Sequence, residues 1–382
     1  MTGFAPQEFE ARMARAQGLM AKAGIEALLL TTEPEVRYFT GFLTRFWESP
    51  TRPWFVIVPA QGQPIAVIPS IGAPLMRQTW LSDIRTWRSP DYGDDGVSLV
   101  AETLAEVVPK GGRIAVPSGP ETHLRLPLES WAALRSKLPG RKFGDDVQIA
   151  KQMRMVKSTA EIAKIEAACA IGDAAFVRVP EIAQAGAPLA QIFRAFQMLC
   201  LEEGADWVSY LAGGAGPGGY GDIIAPATDA PLRPGDVLML DTGVVRDGYF
   251  CDFDRNWSVG PPAPETRDAY ARVLEASDAA FEVARPGATA ADLFRVMDSV
   301  LTGGAGGSDA GRYGHGLGMQ LTEWPSLIPQ DQTVLEAGMV LTLEPGIEIA
   351  PGRTLVHEEN IVITESGARY LSTPAPRDIP VI

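Results

Sequence analysis

The sequence contains no run of 18 consecutive apolar residues, so it encodes no recognisable membrane-spanning helix. Its N-terminus carries Glu8, Glu10, Arg12 and Arg15, where a secretory leader needs an unbroken apolar stretch. Only three cysteines occur, Cys169, Cys200 and Cys251, with no C-x-x-C spacing. They cannot build a disulfide framework and read as small buried residues in a reducing compartment. A cytoplasmic protein is expected. Basic residues are in deficit, 33 against 47 acidic ones, for a formal charge of −14. That surface repels phosphate backbones and anionic lipid, which argues against nucleic acid or a membrane as partner. Histidine is as scarce as cysteine, with only His123, His315 and His357.

What remains is a globular composition, 46% apolar and 21% charged. A chain of 382 residues exceeds one ordinary core, so two domains are expected. Phe9, Met13, Ala16 and Met20 recur at helical spacing and predict an opening amphipathic helix. Residues 27–31 read as a buried strand, and 54–59 and 65–69 as a hairpin about Gln61, Gly62 and Gln63. Alternating helix and strand continue to about Gly144, predicting an α/β domain over residues 1–150. A second domain is assigned to 151–382. It opens with Ser158 three residues before Glu161, a capping-box signal, ahead of helices ending near Val177 and Glu203. The glycine run 213–219 has neither a Gly-Lys-Ser/Thr nor a following helix pattern, so it reads as a flexible loop at a pocket rim rather than a phosphate cradle. Strands are expected at 237–240, 249–259, 339–343 and 357–364, with helices near 265–283 and 289–301.

Five short segments of this second domain each present a potential ligand: Asp241, Asp252, His315, Glu344 and Glu358. Singly, each is an ordinary acidic residue or a histidine in a glycine-rich turn. Asp241 and Glu344, however, directly follow apolar runs. A carboxylate at the buried end of a strand is costly unless paired or bound to a cation. Four carboxylates and one imidazole suit two divalent ions such as Mn, Fe, Co or Zn.

The ordered set Asp-x-Gly, Tyr-x-x-Asp-x-x-Arg, Gly-His-Gly-x-Gly, Glu-Pro-Gly and Glu-x-Asn-x-Val-x-Thr resembles the aminopeptidase P, prolidase and creatinase family. Tyr38 to Phe42 and Met155 to Ser158 extend the likeness over nearly the whole chain. The resemblance implies an N-terminal creatinase-like α/β domain that dimerises and lids the pocket, and an α+β catalytic domain of the "pita-bread" fold. It further implies that Asp252 and Glu358 bridge the two metals, that Asp241 chelates one, and that His315 and Glu344 bind the other. Such a pair acidifies a water held between the ions and polarises a scissile carbonyl.

Peptidases of the family resemble one another in two further histidines, one before the Asp-x-Gly strand and one seven residues after the ligand histidine. Here no histidine lies between His123 and His315, and Thr322 stands at the second place, followed by Glu323. Threonine cannot shuttle protons near neutral pH. Asp254, two residues beyond Asp252, and Glu323 are the carboxylates available for that work; pairing with Arg255 or Arg246 is the plainer use of Asp254. The segment 38–53 is rich in aromatic and basic groups, and Arg45, Trp47 and Arg52 are candidate substrate contacts in a homodimer, as in relatives. The expected function is dinuclear metal-dependent hydrolysis of Xaa-Pro-type peptides or a related small amide. Two alternatives stand beside it. One is a non-peptidase of the fold, like creatinase, ectoine hydrolase or a sulfoniopropionate lyase, acting on a small zwitterion; the other is a non-catalytic binding module.

Overall fold

A computed structural model describes residues 3–48, 52–305 and 311–382, and the chain divides into two units, Met1–Arg154 and Met155–Ile382. In the first, the helix Pro6–Ala23 buries Phe9, Met13, Ala16 and Met20 along one stripe. The unit is built on a six-stranded sheet of β1 (Ala27–Leu30), β2 (Phe55–Pro59), β3 (Ile65–Pro69), β4 (Asp83–Trp87), β5 (Arg113–Val116) and β6 (Lys142–Asp145), in the order β4-β3-β2-β1-β5-β6. The expected hairpin is present, with Ile57 opposite Ile65. β1, β2 and β3 are buried along their whole length, which is why they read as unbroken apolar runs. Leu29, Ile57 and Val67 pack in one cluster with Leu104 and Leu134 from two covering helices.

The second unit opens as its sequence predicts. Ser158 and Glu161 form a complete capping box at the start of helix Thr159–Val177, and helix Leu189–Glu202 follows. One sheet contains β7 (Trp207–Pro217), β8 (Asp236–Arg246), β9 (Tyr249–Phe250) and β10 (Phe253–Ser258), with β8 between β7 and β10. A second has the order β12-β11-β13-β16-β17, from β11 (His315–Gly316), β12 (Glu323–Ser326), β13 (Val340–Leu343), β16 (Glu359–Ile363) and β17 (Ala368–Tyr370). β14 (Gly346–Ala350) and β15 (Arg353–Val356) form a separate hairpin. Helices Pro264–Val283 and Ala290–Thr302 supply Tyr270, Val273, Leu293 and Met297 to a core shared with Val237 and Met239 of β8. Among the described residues, no helix is long and apolar enough to cross a membrane.

The glycine run departs from expectation. Residues 213–217 are not a loop but the second half of β7, paired in register with β8 from Gly213 opposite Leu240 to Pro217 opposite Asp236. Glycine's weak strand preference suggests a loop, but close approach of neighbouring backbone decides the matter here. A Cβ on Gly213 would lie 2.1 Å from the Met239 carbonyl oxygen, at φ +148°. Only glycine lets the two strands close at this point.

Candidate metal centre

Four apolar residues of β8, Val237 to Leu240, are at most 2% exposed, and the next residue is Asp241. Its neighbours in register are Ala212 on β7 and Asp254 on β10. Asp252 stands just before β10, and its backbone is clamped by one side chain. The Asp252 N–H donates to Asn360 Oδ1 (3.0 Å), and Asn360 Nδ2 donates back to the Asp252 carbonyl. Glu358 stands just before β16, with its N–H donating to Asp254 Oδ1 (2.8 Å). Glu344 follows β13 directly. The candidate ligands therefore issue from the ends and crossings of strands in two sheets.

His315 on β11 is set by its own backbone and ring. Its N–H donates to Thr342 Oγ1 (3.1 Å), and its Nδ1 lies 2.9 Å from the Gly316 carbonyl, which can only accept. Nδ1 therefore carries the proton. Nε2 presents its lone pair 3.4 Å from Asp252 Oδ2. Gly314 is required just before it: a Cβ there would sit 2.3 Å from the Thr342 carbonyl oxygen.

Asp252, His315 and Glu358 are buried, and each offers one ligand atom within 4.8 Å of the others. Asp241 and Glu344 are partly exposed and close enough to act electrostatically on Asp252 and Glu358. Burial first, and neighbouring carboxylates second, push Asp252 and Glu358 well above the usual carboxylate range. Burial and then Glu344 raise Asp241 to about 7; burial raises Glu344 to about 7 against the pull of Arg312. His315 is lowered to about 3 by burial and then by Arg312, so its ring is neutral and ligand-ready. Asp241 Oδ1 and Glu358 Oε1 are shut off from solvent with no hydrogen-bond partner. Carboxylates crowded and left unpartnered in this way are stable only when protonated or when cations lie among them. The donor set of hard oxygens and one imidazole nitrogen fits divalent metal.

The remaining candidates separate. Asp254 is buried; Oδ1 takes the Glu358 N–H while Oδ2 has no partner. Neither arginine pairs with its carboxylate in the plain way: Arg255 donates to the Asp254 carbonyl and Arg246 bonds Asp206 (2.9 Å). Glu323 is committed elsewhere. It pairs with Lys157 (3.1 Å) and accepts the N–H groups of Met319 (2.8 Å) and Gln320 (3.2 Å), an anchor for the loop after His315. Both of its carboxylate oxygens take part in that anchor. Thr322 accepts a hydrogen bond from Arg312 (3.3 Å). His357 and Glu359 turn away from Glu358: His357 Nε2 lies 3.4 Å from Glu359, and Glu359 pairs with Arg255 (3.0 Å). In the first unit, Arg45 is exposed and pairs with Glu48, and Trp47 packs on Trp54 with ring centroids 5.7 Å apart. The carbonyls of Trp47 and Arg52 accept from Arg125 (2.8 and 3.0 Å).

Sequence reasoning missed three groups at the centre. Tyr210 on β7 lies near the cluster, and its phenol is raised by burial and then by the Asp241 charge. Arg312 is the cation acting on Asp252, Glu344 and His315. Asn360 clamps Asp252; its place in Glu-x-Asn was the one available signal. A half-open apolar cavity of about 430 Å³, bordered by Phe176, Trp257 and Tyr270, includes none of the five candidate ligands.

The model of metallopeptidase family M24 matches residues 163–365, and that of the creatinase/prolidase N-terminal domain matches 12–156. A probable dipeptidase, PepE, of Mycobacterium tuberculosis is 31% identical over 96% of this chain and 94% of its own. The Xaa-Pro dipeptidase of Pyrococcus furiosus is 34% identical over 61% of this chain and 67% of its own. The crystal structure of dipeptidase PepE from Mycobacterium ulcerans superposes with a TM-score of 0.84 at 28% identity, covering 99% of both chains. The resemblance read from the five motifs, and the pita-bread fold that it implies, are borne out. This chain is a member of metallopeptidase family M24, a metallohydrolase built with the creatinase/prolidase N-terminal domain.

Proposed function

We propose that this protein is a dinuclear metal-dependent peptidase that cleaves short peptides of the Xaa-Pro type in the cytoplasm, working as a homodimer. The observation that carries the reading is the buried, unpartnered carboxylate cluster around a neutral imidazole, in a chain similar to named dipeptidases. Asp252 and Glu358 would bridge two divalent ions such as Mn, Fe, Co or Zn, with Asp241 on one and His315 and Glu344 on the other. Bound there, the ions acidify water and polarise the scissile carbonyl.

The chain's own groups do the rest. The Gly316 carbonyl fixes the His315 tautomer, and Asn360 fixes the Asp252 backbone. Asp254 is assigned the proton-handling role: burial favours its neutral form, and Oδ2 is unpartnered beside Asp241. Arg45, Trp47 and Arg52 are proposed to reach substrate across a dimer, and the division of labour is an N-terminal lid over residues 1–150 with catalysis in 151–382. The three buried free cysteines support a reducing compartment.

A second reading has its own support. Thr322 replaces an imidazole of the family's peptidases, so a small zwitterion with a hydrolysable amide remains a competing substrate. The deciding experiment is a screen of metal-loaded protein against Xaa-Pro and other dipeptides, creatine, ectoine and sulfonium compounds. Turnover of the dipeptides above all others is expected. Turnover confined to a non-peptide compound would overturn the peptidase reading, and no turnover with tight ligand binding would favour a binding module.

A further inference from the structure

Successive side chains alternate across a strand, so Phe253, Arg255 and Trp257 lie on the face of β10 turned away from Asp254. Phe176, near the end of helix Thr159–Val177, packs on Phe253 and Trp257 with ring centroids 5.2 and 5.9 Å apart. Phe176 and Trp257 line the half-open cavity of about 430 Å³, together with Tyr270, Pro374 and Pro376. That volume falls in the range of small-molecule sites, about 300–1,000 Å³, which are likewise apolar with a few polar groups. Two charged side chains line the cavity, Arg255 and Asp173. Arg255 is committed inward: Nη1 donates to the Glu358 carbonyl (3.1 Å) and Nη2 to Glu359 Oε2 (3.0 Å), with further bonds to the carbonyls of Asp254 and Thr373. Asp173 is only half engaged. Its Oδ2 accepts from the N–H and the hydroxyl of Thr373, both at 2.8 Å. Among the described residues no hydrogen bond reaches its Oδ1, which lies 4.0 Å from Arg255 Nη2. Burial pushes the Asp173 carboxyl above its ordinary range against the pull of Thr373 and Arg255, so its negative charge is under-compensated.

We propose that this cavity is a second ligand site, apart from the metal centre, for a small molecule with a flat apolar body and one ammonium group. The body packs against Phe176, Trp257 and Tyr270, and the ammonium donates to Asp173 Oδ1. The charges select the ligand. An anion meets the Asp173 carboxylate and finds the Nη donors of Arg255 already taken. A neutral molecule leaves Asp173 under-compensated. An ammonium supplies the missing counter-charge through a charge-assisted hydrogen bond, and the aromatic walls favour a cation at their faces. This assignment is independent of which substrate the metal centre turns over.

The test is a calorimetric series on the full chain with tryptamine, its neutral analogue tryptophol and the anion indole-3-acetate. Tryptamine should bind once per chain and about 10-fold tighter than tryptophol, the usual gain from a charge-assisted hydrogen bond. Indole-3-acetate should bind most weakly. Asp173→Asn should remove the preference for the amine and leave tryptophol binding as in wild type. Ala174 also lines the cavity, and Ala174→Trp should fill it and weaken both probes alike. The acidic metal centre is the competing site for an amine, so Asp241→Asn is the control and should bind tryptamine as wild type does. Equal affinity for the three probes, or no binding of tryptamine, would overturn the proposal in wild type alone, even should a variant fail to fold. Tryptamine affinity retained in both cavity variants, or lost in Asp241→Asn, would overturn it as well. Sedimentation of Ala174→Trp should match wild type; a changed oligomeric state would make the cavity an interface between copies of this chain and contradict a small-molecule site.

Discussion

Asp252, His315 and Glu358 owe their placement to groups outside the ligand set: Asn360, the Gly316 carbonyl and, for the Glu358 backbone, Oδ1 of a buried Asp254. Outer groups of this kind are commonly worth 10–100-fold in metal affinity. Asn360→Ala is therefore expected to weaken metal binding by about that factor in a calorimetric titration; unchanged affinity would show that the clamp on Asp252 is dispensable. Asp254→Asn should lower turnover by about 10²-fold with metal content intact, the usual scale of general acid/base assistance. Full activity in that variant would reduce Asp254 to a holder of the Glu358 backbone. Glu323→Ala is expected to act on stability instead, by about 3–5 kcal/mol, because it strands Lys157 as a buried unpaired charge. A denaturant midpoint equal to wild type would refute that. The five candidate ligands were legible because each follows an apolar or glycine-rich signature in the chain. Arg312 and Tyr210 were not, since each acts on carboxylates brought near only by folding. The same holds for Glu323, whose partner Lys157 is 166 residues away.

At the scale of elements, helices and apolar strands were legible from periodicity and caps: the stripe on Pro6–Ala23, the Ser158–Glu161 box and the hairpin of β2 and β3 all follow from local pattern. β7 was illegible for a physical reason. Its glycines are there to let β8 and the segment around Tyr220 approach, and the crowding belongs to the partners rather than to β7's own sequence. Gly213→Ala is expected to cost about 3 kcal/mol, from overpacking and a disfavoured φ. It should also disturb Asp241, since Ala212 opposes that residue in register. A thermal midpoint and metal affinity matching wild type would mean that the two strands relax freely.

For the whole molecule, the carboxylate cluster couples metal, pH and stability. In the metal-free protein Asp241 and Glu344 titrate near about 7, against ordinary values near about 4 in an unfolded chain. Folded protein thus holds protons that the unfolded chain releases. Their contribution is fully present below the unfolded value and is lost as pH rises through the folded one. Metal-stripped protein should therefore lose thermal stability between about pH 4 and pH 7, and divalent metal should reverse the loss at neutral pH. A stripped protein whose midpoint rises over that range would contradict the assignment of strain to these carboxylates. The most direct measurement is a titration of stripped wild type, Asp252→Ala and Glu358→Ala with manganese, cobalt or zinc. Two equivalents per chain are expected for wild type, as a two-metal hydrolytic site requires, and neither in the two variants. Less than one equivalent in wild type, or undiminished binding in both variants, would contradict a dinuclear centre held by these residues.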